Sequence, residues 1–185
     1  MPRLLVIIGS TRPVRVGEPV AAWFTDRARA HGGFEVDVAD LRALDLPLMD
    51  EAKHPRFGEY QLEHTLAWAD TVRAADAVVF VMPEYNHSFT APVKNAIDYL
   101  LAEWSRKPVG FVSYGGVSAG LRAVQALKPV CLAVGMVPAT PAVNIPWIAR
   151  HVEGGVFTPF EQLEGSANAM LDELVALAGA LRSLR

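Results

Sequence analysis

The chain of 185 residues contains a single cysteine, Cys131, which lies in an apolar stretch. One cysteine excludes an intrachain disulfide and a cysteine-based metal cluster, and the apolar surroundings indicate a buried, unreactive thiol. Runs of basic residues are missing as well, and the formal net charge is −3, from 17 Lys and Arg against 20 Asp and Glu. Because no cluster of positive charge is available to bind phosphate backbones, we expect no nucleic-acid partner.

Long hydrophobic runs are also absent. No stretch of about twenty uninterrupted apolar residues occurs. The first residues lead directly into a predicted strand and lack the pattern of a secretory signal, a charged leader followed by a longer apolar segment. We therefore expect no membrane insertion and predict a cytoplasmic protein. Hydrophobic residues still make up 51% of the chain, which is enough at this length to bury one full core. A single domain over residues 1–185 is the predicted organisation.

Apolar runs that predict buried strands alternate along the chain with amphipathic segments that predict helices. The predicted strands are residues 4–8, 34–39, 77–82, 109–112 and 137–143, and the predicted helices are 18–30, 59–74, 90–102, 118–132 and 161–184. Because Pro138 and Pro141 lie in the fifth strand, we predict that it is an edge strand of the sheet. Pro129 is predicted to kink or break the fourth helix. Because parallel strands need crossover connections, the alternation predicts a doubly wound, five-stranded parallel α/β sheet with helices on both faces. The long segment 41–57 is either a lid or interface segment or a surface excursion anchored by Leu46 and Leu48.

The segment between the first strand and the first helix, Gly9-Ser10-Thr11-Arg12-Pro13-Val14-Arg15-Val16-Gly17 (the first loop), is predicted to bind a phosphate. Ser10 and Thr11 offer hydroxyls, Arg12 and Arg15 offer positive charge, and the helix N-terminus adds a partial positive charge. The first loop has neither the G-x-G-x-x-G dinucleotide fingerprint nor a Gly-Lys-Ser/Thr P-loop, which favours a single terminal phosphate over a pyrophosphate. The alternative is an ordinary helix cap with Arg15 pointing into water.

The second loop, Pro83-Glu84-Tyr85-Asn86-His87-Ser88, follows the third predicted strand. Its proline fixes the backbone, Tyr85 offers a flat face, and Asn86 together with backbone amides can bind the polar edge of a ring. The alternative is a turn in which Asn86 caps the next helix. His87 is a candidate acid or base, but neither Asp nor Cys lies beside it, which favours a solvated side chain. Glu84 is a candidate for contact with a partner subunit.

The third loop, Ser113-Tyr114-Gly115-Gly116, follows the fourth predicted strand, and its paired glycines let the backbone approach a ligand closely. Taken alone, it predicts only a tight turn. If the first, third and fourth strands are neighbours, however, all three loops lie at the carboxyl ends of adjacent strands, where open α/β sheets bind their ligands. A phosphate loop, an aromatic loop and a glycine turn in one crevice predict a site for a flat aromatic mononucleotide, a flavin.

Together with Lys94-Asn95-Ala96-Ile97-Asp98, the three loops resemble the NAD(P)H-dependent FMN reductase family, which includes quinone, azo-dye and chromate reductases. The resemblance implies a flavodoxin-like fold with strand order 2-1-3-4-5, FMN as prosthetic group, NADPH or NADH as reductant, and a homodimer or a dimer of dimers. It also implies the residues that bind FMN. These are Ser10, Thr11, Arg12, Arg15 and Gly17 at the phosphate; Pro83, Glu84, Tyr85 and Asn86 along the ribityl chain and ring; and Ser113, Gly115 and Gly116 at the far end of the ring.

The predicted reaction is hydride transfer from the nicotinamide through FMN to a small-molecule electron acceptor. Because FMN carries the chemistry, no catalytic acid or base is required. Quinones, flavins, azo compounds and metal oxyanions all fit as acceptors. The alternatives are a non-enzymatic FMN-binding electron carrier or redox sensor, and a protein that binds a phosphorylated metabolite without redox chemistry. All four tryptophans lie outside the three loops, which predicts an accessible ring and favours the reductase.

Overall fold

A computed structural model of the protein describes residues 1–184. Six parallel strands form the main sheet: β1 (Arg3–Ile8), β2 (Glu35–Asp40), β3 (Ala77–Pro83), β4 (Pro108–Tyr114), β5 (Val137–Pro138) and β6 (Val143–Ile145). They lie in the order β2-β1-β3-β4, and both β5 and β6 pair with β4 at the far edge. The predicted order 2-1-3-4-5 is therefore confirmed.

The helices cover both faces of this sheet and are α1 (Gly17–His31), α2 (Leu41–Leu44), α3 (Glu63–Ala74), α4 (Ala91–Asp98), α5 (Leu121–Ala133) and α6 (Glu161–Leu181). One face carries α1 and α6, whose core includes Phe24 and Leu171, while α3, α4 and α5 cover the other face around Trp68 and Trp104. Because β1, β3 and β4 are buried on both sides, their sequences are nearly continuous apolar runs. Among the described residues, no helix is both long and apolar enough to cross a bilayer.

Two elements differ from the sequence prediction because of proline. Helix α5 continues through Pro129 to Ala133, so the predicted break is wrong. Pro129 is exposed and close to the helix end, where the one missing backbone hydrogen bond can be replaced by water. The fifth strand is divided into β5 and β6, with Pro141 in the gap, because proline cannot donate to a ladder. Its edge position is as predicted.

The segment 41–57 is fastened to α4 by polar contacts. Asn95 donates to the carbonyl oxygen of Pro47 at 2.7 Å and accepts from the amide of Met49 at 2.9 Å. The Tyr99 hydroxyl donates to Asp50 at 2.8 Å, and burial together with this carboxylate raises the pKa of Tyr99 to about 12. Leu48, expected as an anchor, is instead 83% exposed. The segment is thus held by α4 while presenting an apolar side chain to solvent.

Irregular structure follows β6. Residues Ile148–Arg150 form one turn of 3-10 helix, and β7 (Val152–Glu153) pairs with β8 (Val156–Phe157) in a short antiparallel hairpin. A second 3-10 turn, Pro55–Phe57, precedes α3, and a third, Arg182–Leu184, follows α6. The segment 145–160 thus contains local structure, and backbone hydrogen bonds join its first residues to the turn after β4.

Candidate cofactor site

The three predicted loops meet at the carboxyl ends of β1, β3 and β4. The backbone amide of Gly9 donates to the carbonyl of Val81 at 2.8 Å, and that of Glu84 donates to the carbonyl of Tyr114 at 3.2 Å. Between the loops lies a cavity of about 200 Å³, called here the loop cavity, which is lined by Ser10, Arg12, Val14, Arg15, Val16, Pro83, Glu84, Tyr85, Tyr114, Gly115 and Ile148. The predicted residues that do not line it are Thr11, Gly17, Asn86, Ser113 and Gly116.

Two buried hydroxyl groups lie at one end of the loop cavity. Ser10 is 1% exposed and Tyr114 is 3% exposed, and neither hydroxyl makes a hydrogen bond of good geometry with another described residue, although the two lie close enough for Ser10 to lower the pKa of Tyr114. A Cβ atom built on Gly17 would lie 2.2 Å from Ser10 Oγ and 2.7 Å from the Tyr114 hydroxyl, so both groups face the first residue of α1. Burial raises the pKa of Tyr114, which keeps its hydroxyl protonated and able to donate. Unpaired hydroxyls at a helix N-terminus suit the oxygens of a phosphate.

Arg15 is held inside the first loop. Its guanidinium donates to Asp40 at 2.7 and 2.5 Å, to Glu18 at 2.5 Å, and to the carbonyl oxygen of Ser10 at 2.6 Å. The side chain is only 2% exposed, so the alternative of an arginine pointing into water is wrong. Its Nε atom is buried without a partner in the described part of the chain.

The other two polar residues predicted for the first loop lie apart from each other. Arg12 is exposed and lines the loop cavity. Thr11 instead faces a neighbouring cleft of about 360 Å³ beside α2 and α4, called here the α4 cleft, which is also lined by Arg42 and Asn95. The structure therefore separates Thr11 from Ser10 and Arg12.

The second loop is a tight turn. Tyr85 and Ser88 exchange backbone hydrogen bonds at 2.9 and 3.0 Å, and the two residues between them, Asn86 and His87, have φ angles of 50° and 67°. Asparagine tolerates this left-handed conformation better than most residues. Both side chains are exposed at the tip, and α4 is capped by the Thr90 hydroxyl. The predicted turn is present, and the residue that caps α4 is Thr90 and not Asn86.

Glu84 connects the second loop to the beginning of α5. Its carboxylate accepts from the Ser118 hydroxyl at 2.9 Å, from the Arg122 amide at 3.1 Å and from Arg122 Nε at 2.6 Å, and its side chain is 5% exposed. Burial would raise the pKa of Glu84, but these hydrogen bonds outweigh burial and hold it below the usual range. The predicted contact with a partner subunit gains no support, because the carboxylate is engaged within the chain.

Ser113 belongs to the framework beneath the third loop and is not presented to the cavity. It lies within β4 and is completely buried, and its hydroxyl is bonded to the carbonyl of Ala119 at 2.8 Å and to Asn144 at 2.9 Å. The strand continues one residue further than Ser113, to Tyr114. The third loop proper is therefore the turn that begins at Gly115.

The segment after β6 packs against this glycine turn. The amide of Trp147 donates to the carbonyl of Gly116, and that of Ile148 donates to the carbonyl of Gly115, both at 3.0 Å. Trp147 has a left-handed φ of 49° and is 47% exposed, with the Arg150 guanidinium 5.1 Å from its ring centre. The structure thus brings one tryptophan to the third loop, which the sequence does not predict.

Comparisons with known proteins identify the family of the chain. Residues 2–148 match the family described as NADPH-dependent FMN reductase. An NAD(P)H-dependent FMN reductase of Schizosaccharomyces pombe is 39% identical over 149 residues, which cover 78% of this chain and 74% of that protein. A quinone reductase of Pseudomonas putida is 33% identical over 129 residues, covering 66% of each chain.

The chain belongs to the NADPH-dependent FMN reductase family. Among solved structures, the flavoenzyme NAD(P)H:acceptor oxidoreductase FerB of Paracoccus denitrificans superposes with a TM-score of 0.77 at 24% identity, covering 97% of this chain and 98% of that one. This similarity supports the flavodoxin-like fold. As a member of the FMN reductase family, the protein is an NAD(P)H-dependent flavin oxidoreductase that uses FMN. The unpaired Ser10 and Tyr114 hydroxyls fit the phosphate of FMN.

The candidate site also includes residues that the sequence does not identify: Val14, Val16, Tyr114 and Ile148 line the loop cavity, and Trp147 packs on the third loop. Tyr114 was detectable, because it shares a face of β4 with Val112, two residues earlier, and this face packs with α1 and α6. Ile148 and Trp147 carry no such signal. Their position depends on the hydrogen bonds that join the irregular segment after β6 to the glycine turn.

Proposed function

We propose that the loop cavity holds the phosphate of FMN and that the three loops together hold the whole cofactor. Ser10, Tyr114 and the first turn of α1 would donate to the phosphate, and Arg12 would supply positive charge. The observation that carries this assignment is the pair of buried, unpaired hydroxyls beside Gly17. A buried polar group without a partner costs about 1–3 kcal/mol, and a phosphate oxygen would remove that cost.

The remaining residues would orient the cofactor. Tyr85 offers a half-exposed ring, and the turn at Gly115 and Gly116 allows close approach of a flat molecule. Glu84 holds the second loop and the start of α5 in fixed relative positions. When bound, FMN supplies hydride transfer between NAD(P)H and an acceptor, so these residues need only bind and orient. We assign no acid or base role to His87 at the tip of the turn.

An open side of the site favours the reductase over an electron carrier. A Cβ atom built on Gly116 would meet nothing within 4 Å, and the next residue, Val117, is 73% exposed. Trp147 stands at this opening with about half its surface free. An open, partly apolar entrance would admit a nicotinamide and then a planar acceptor. We propose a quinone as the acceptor class, since one relative is named a quinone reductase, with azo compounds, free flavins and metal oxyanions as competitors.

Anaerobic mixing tests this function. The FMN-loaded protein should be bleached by NADPH or NADH in a single two-electron step, and a quinone should restore the colour. Steady-state rates with varied quinone should give the parallel lines of a ping-pong cycle. If neither nucleotide reduces the flavin while dithionite does, the carrier interpretation replaces the reductase. A protein that binds no FMN at all excludes both.

We further propose that the chain acts as one cytoplasmic FMN-binding unit and associates as a homodimer or a dimer of dimers. Apolar side chains exposed along the segment 41–57, Leu48 at 83% and Met49 at 37%, support an interface next to α4. This segment also borders the α4 cleft, so an interface here would lie close to the first loop. A symmetric dimer is the commonest arrangement that covers such a patch.

A further inference from the structure

Asp40 lies outside the loop cavity yet contacts the one arginine buried in the first loop. It is the last residue of β2 and stands opposite Ile8, the last residue of β1, in the parallel register. From there its carboxylate accepts hydrogen bonds from both terminal nitrogens of Arg15, at 2.7 and 2.5 Å. A two-point contact of this kind fixes the plane of the guanidinium as well as its position. The strand pairing of β1 with β2 therefore determines how Arg15 is oriented.

In this orientation, one N–H group of Arg15 has no hydrogen-bond partner among the described residues. The terminal nitrogens are engaged by Asp40, Glu18 and the Ser10 carbonyl oxygen, whereas Nε is buried and has no partner among residues 1–184. Arg15 also lines the loop cavity, beside the equally unpaired hydroxyls of Ser10 and Tyr114. Three residues that each carry a buried donor without a partner among the described residues thus line one small space.

We propose that Asp40 is a positioning residue for the phosphate site, a proposal that rests on the proposed binding of FMN. Asp40 holds the guanidinium of Arg15 so that Nε–H donates to the phosphate. Asp40 and Glu18 carry two negative charges, and Arg15 together with the nearby Arg42 carries two positive ones, so this group has no net charge that would attract a phosphate. Arg15 consequently acts through one directed hydrogen bond, and Arg12 remains the residue that contributes attraction at longer range.

The charge of Asp40 makes the two possible roles predict opposite changes in FMN affinity. Asp40→Asn removes a negative charge near the phosphate, so a purely electrostatic role would make FMN bind more tightly. A positioning role requires the reverse, because the neutral amide cannot accept both nitrogens of Arg15. The asparagine keeps an oxygen for the Arg42 amide, which the Asp40 carboxylate accepts at 2.9 Å to cap α2. Asp40→Ser, which also provides a helix cap, serves as the second variant if the asparagine protein does not fold.

The experiment titrates the apoprotein with FMN and with riboflavin, which lacks the phosphate, and follows flavin fluorescence. We expect Asp40→Asn and Asp40→Ser to weaken FMN about tenfold, the usual effect of one charge-assisted hydrogen bond, and riboflavin less than twofold. In an Arg15→Met background, which already lacks the contact, Asp40→Asn should add no further loss. Asp37→Asn is the matched control, because Asp37 lies on the same strand in an ion pair with Arg3 at 2.7 Å, away from the site. It should change neither affinity.

Tighter or unchanged FMN binding by Asp40→Asn overturns the proposal, and so does an equal loss for both ligands. An additive loss in the Arg15→Met background also overturns it, since Asp40 would then act independently of Arg15. Failure of the proposed function looks different, because the unsubstituted protein would then bind neither FMN nor riboflavin, or would bind both equally well. Thermal unfolding of each apoprotein confirms that the variants compared are folded.

Discussion

Replacing Gly17 with alanine tests the phosphate site with a single methyl group. Gly17 is the first residue of α1, and its φ angle lies outside the left-handed region, so alanine fits the backbone there. The new Cβ atom would lie 2.2 Å from Ser10 Oγ and 2.7 Å from the Tyr114 hydroxyl, far inside contact distance. At least one hydroxyl must therefore turn away from the position that the FMN phosphate is proposed to occupy.

The size of the effect follows from the hydrogen bonds lost. A bond to a charged group contributes about 1.5–3 kcal/mol, so losing one weakens FMN binding by about ten- to a hundredfold. Riboflavin makes no phosphate contact and should lose less than threefold. The Ser10 side chain can rotate away from the new methyl group, whereas the buried ring of Tyr114 must shift, so we expect the apoprotein to lose some stability.

The assay is fluorescence titration of both flavins, with thermal unfolding of the apoprotein as a check on folding. Gly165→Ala is the matched control, because Gly165 lies in α6 and a Cβ atom there meets nothing within 4 Å. It should raise stability and leave both affinities unchanged. Equal affinity of the Gly17→Ala protein and the unsubstituted protein for FMN would refute the placement of the phosphate beside Ser10 and Tyr114.

Three further predictions follow from the site and the surface. Arg12→Ala should weaken FMN about ten- to a hundredfold, with riboflavin nearly unaffected and the salt dependence of FMN binding reduced; equal losses for the two flavins in parallel titrations would show that Arg12 does not contact the phosphate. Glu84 has a lowered pKa in the folded state, so its stabilisation is present above the usual glutamate value of about 4.3 and is lost as the pH falls below it. Urea unfolding at several pH values should show the difference between the unsubstituted protein and Glu84→Gln shrinking below that pH, and a constant difference would contradict this. Leu48→Asp should shift light scattering from dimer to monomer without unfolding the chain, whereas an unsubstituted protein that is already monomeric at micromolar concentration would remove the proposed interface.

Much of the fold was predictable because of how parallel sheets are buried. The strands β1, β3 and β4 are covered on both faces, so each is a run of apolar residues that ends where a loop begins. Boundaries were less accurate where no side chain caps the helix, as at the starts of α3 and α5 and at the end of α4. Helix α4 begins after Thr90, whose hydroxyl accepts from the Val93 amide, and ends at Asp98, several residues before the periodic pattern does.

The site was predictable as a meeting of loops but not as a set of contacts. The charge of Arg15 is visible in the sequence, whereas its engagement by Asp40 depends on the pairing of β2 with β1, 25 residues away. Ser113 belongs to the right motif but faces the framework, because alternate residues of β4 face opposite sides. Ile148 reaches the cavity only through backbone bonds to the glycine turn, which no local pattern encodes.

A crystal structure of the protein with FMN bound is the most direct test of the central claim. The proposed site requires phosphate oxygens within hydrogen-bond distance, about 3 Å, of both Ser10 Oγ and the Tyr114 hydroxyl. It also requires the flavin ring to lie against the turn at Gly115. A phosphate found instead in the α4 cleft, beside Thr11 and Arg42, would contradict it.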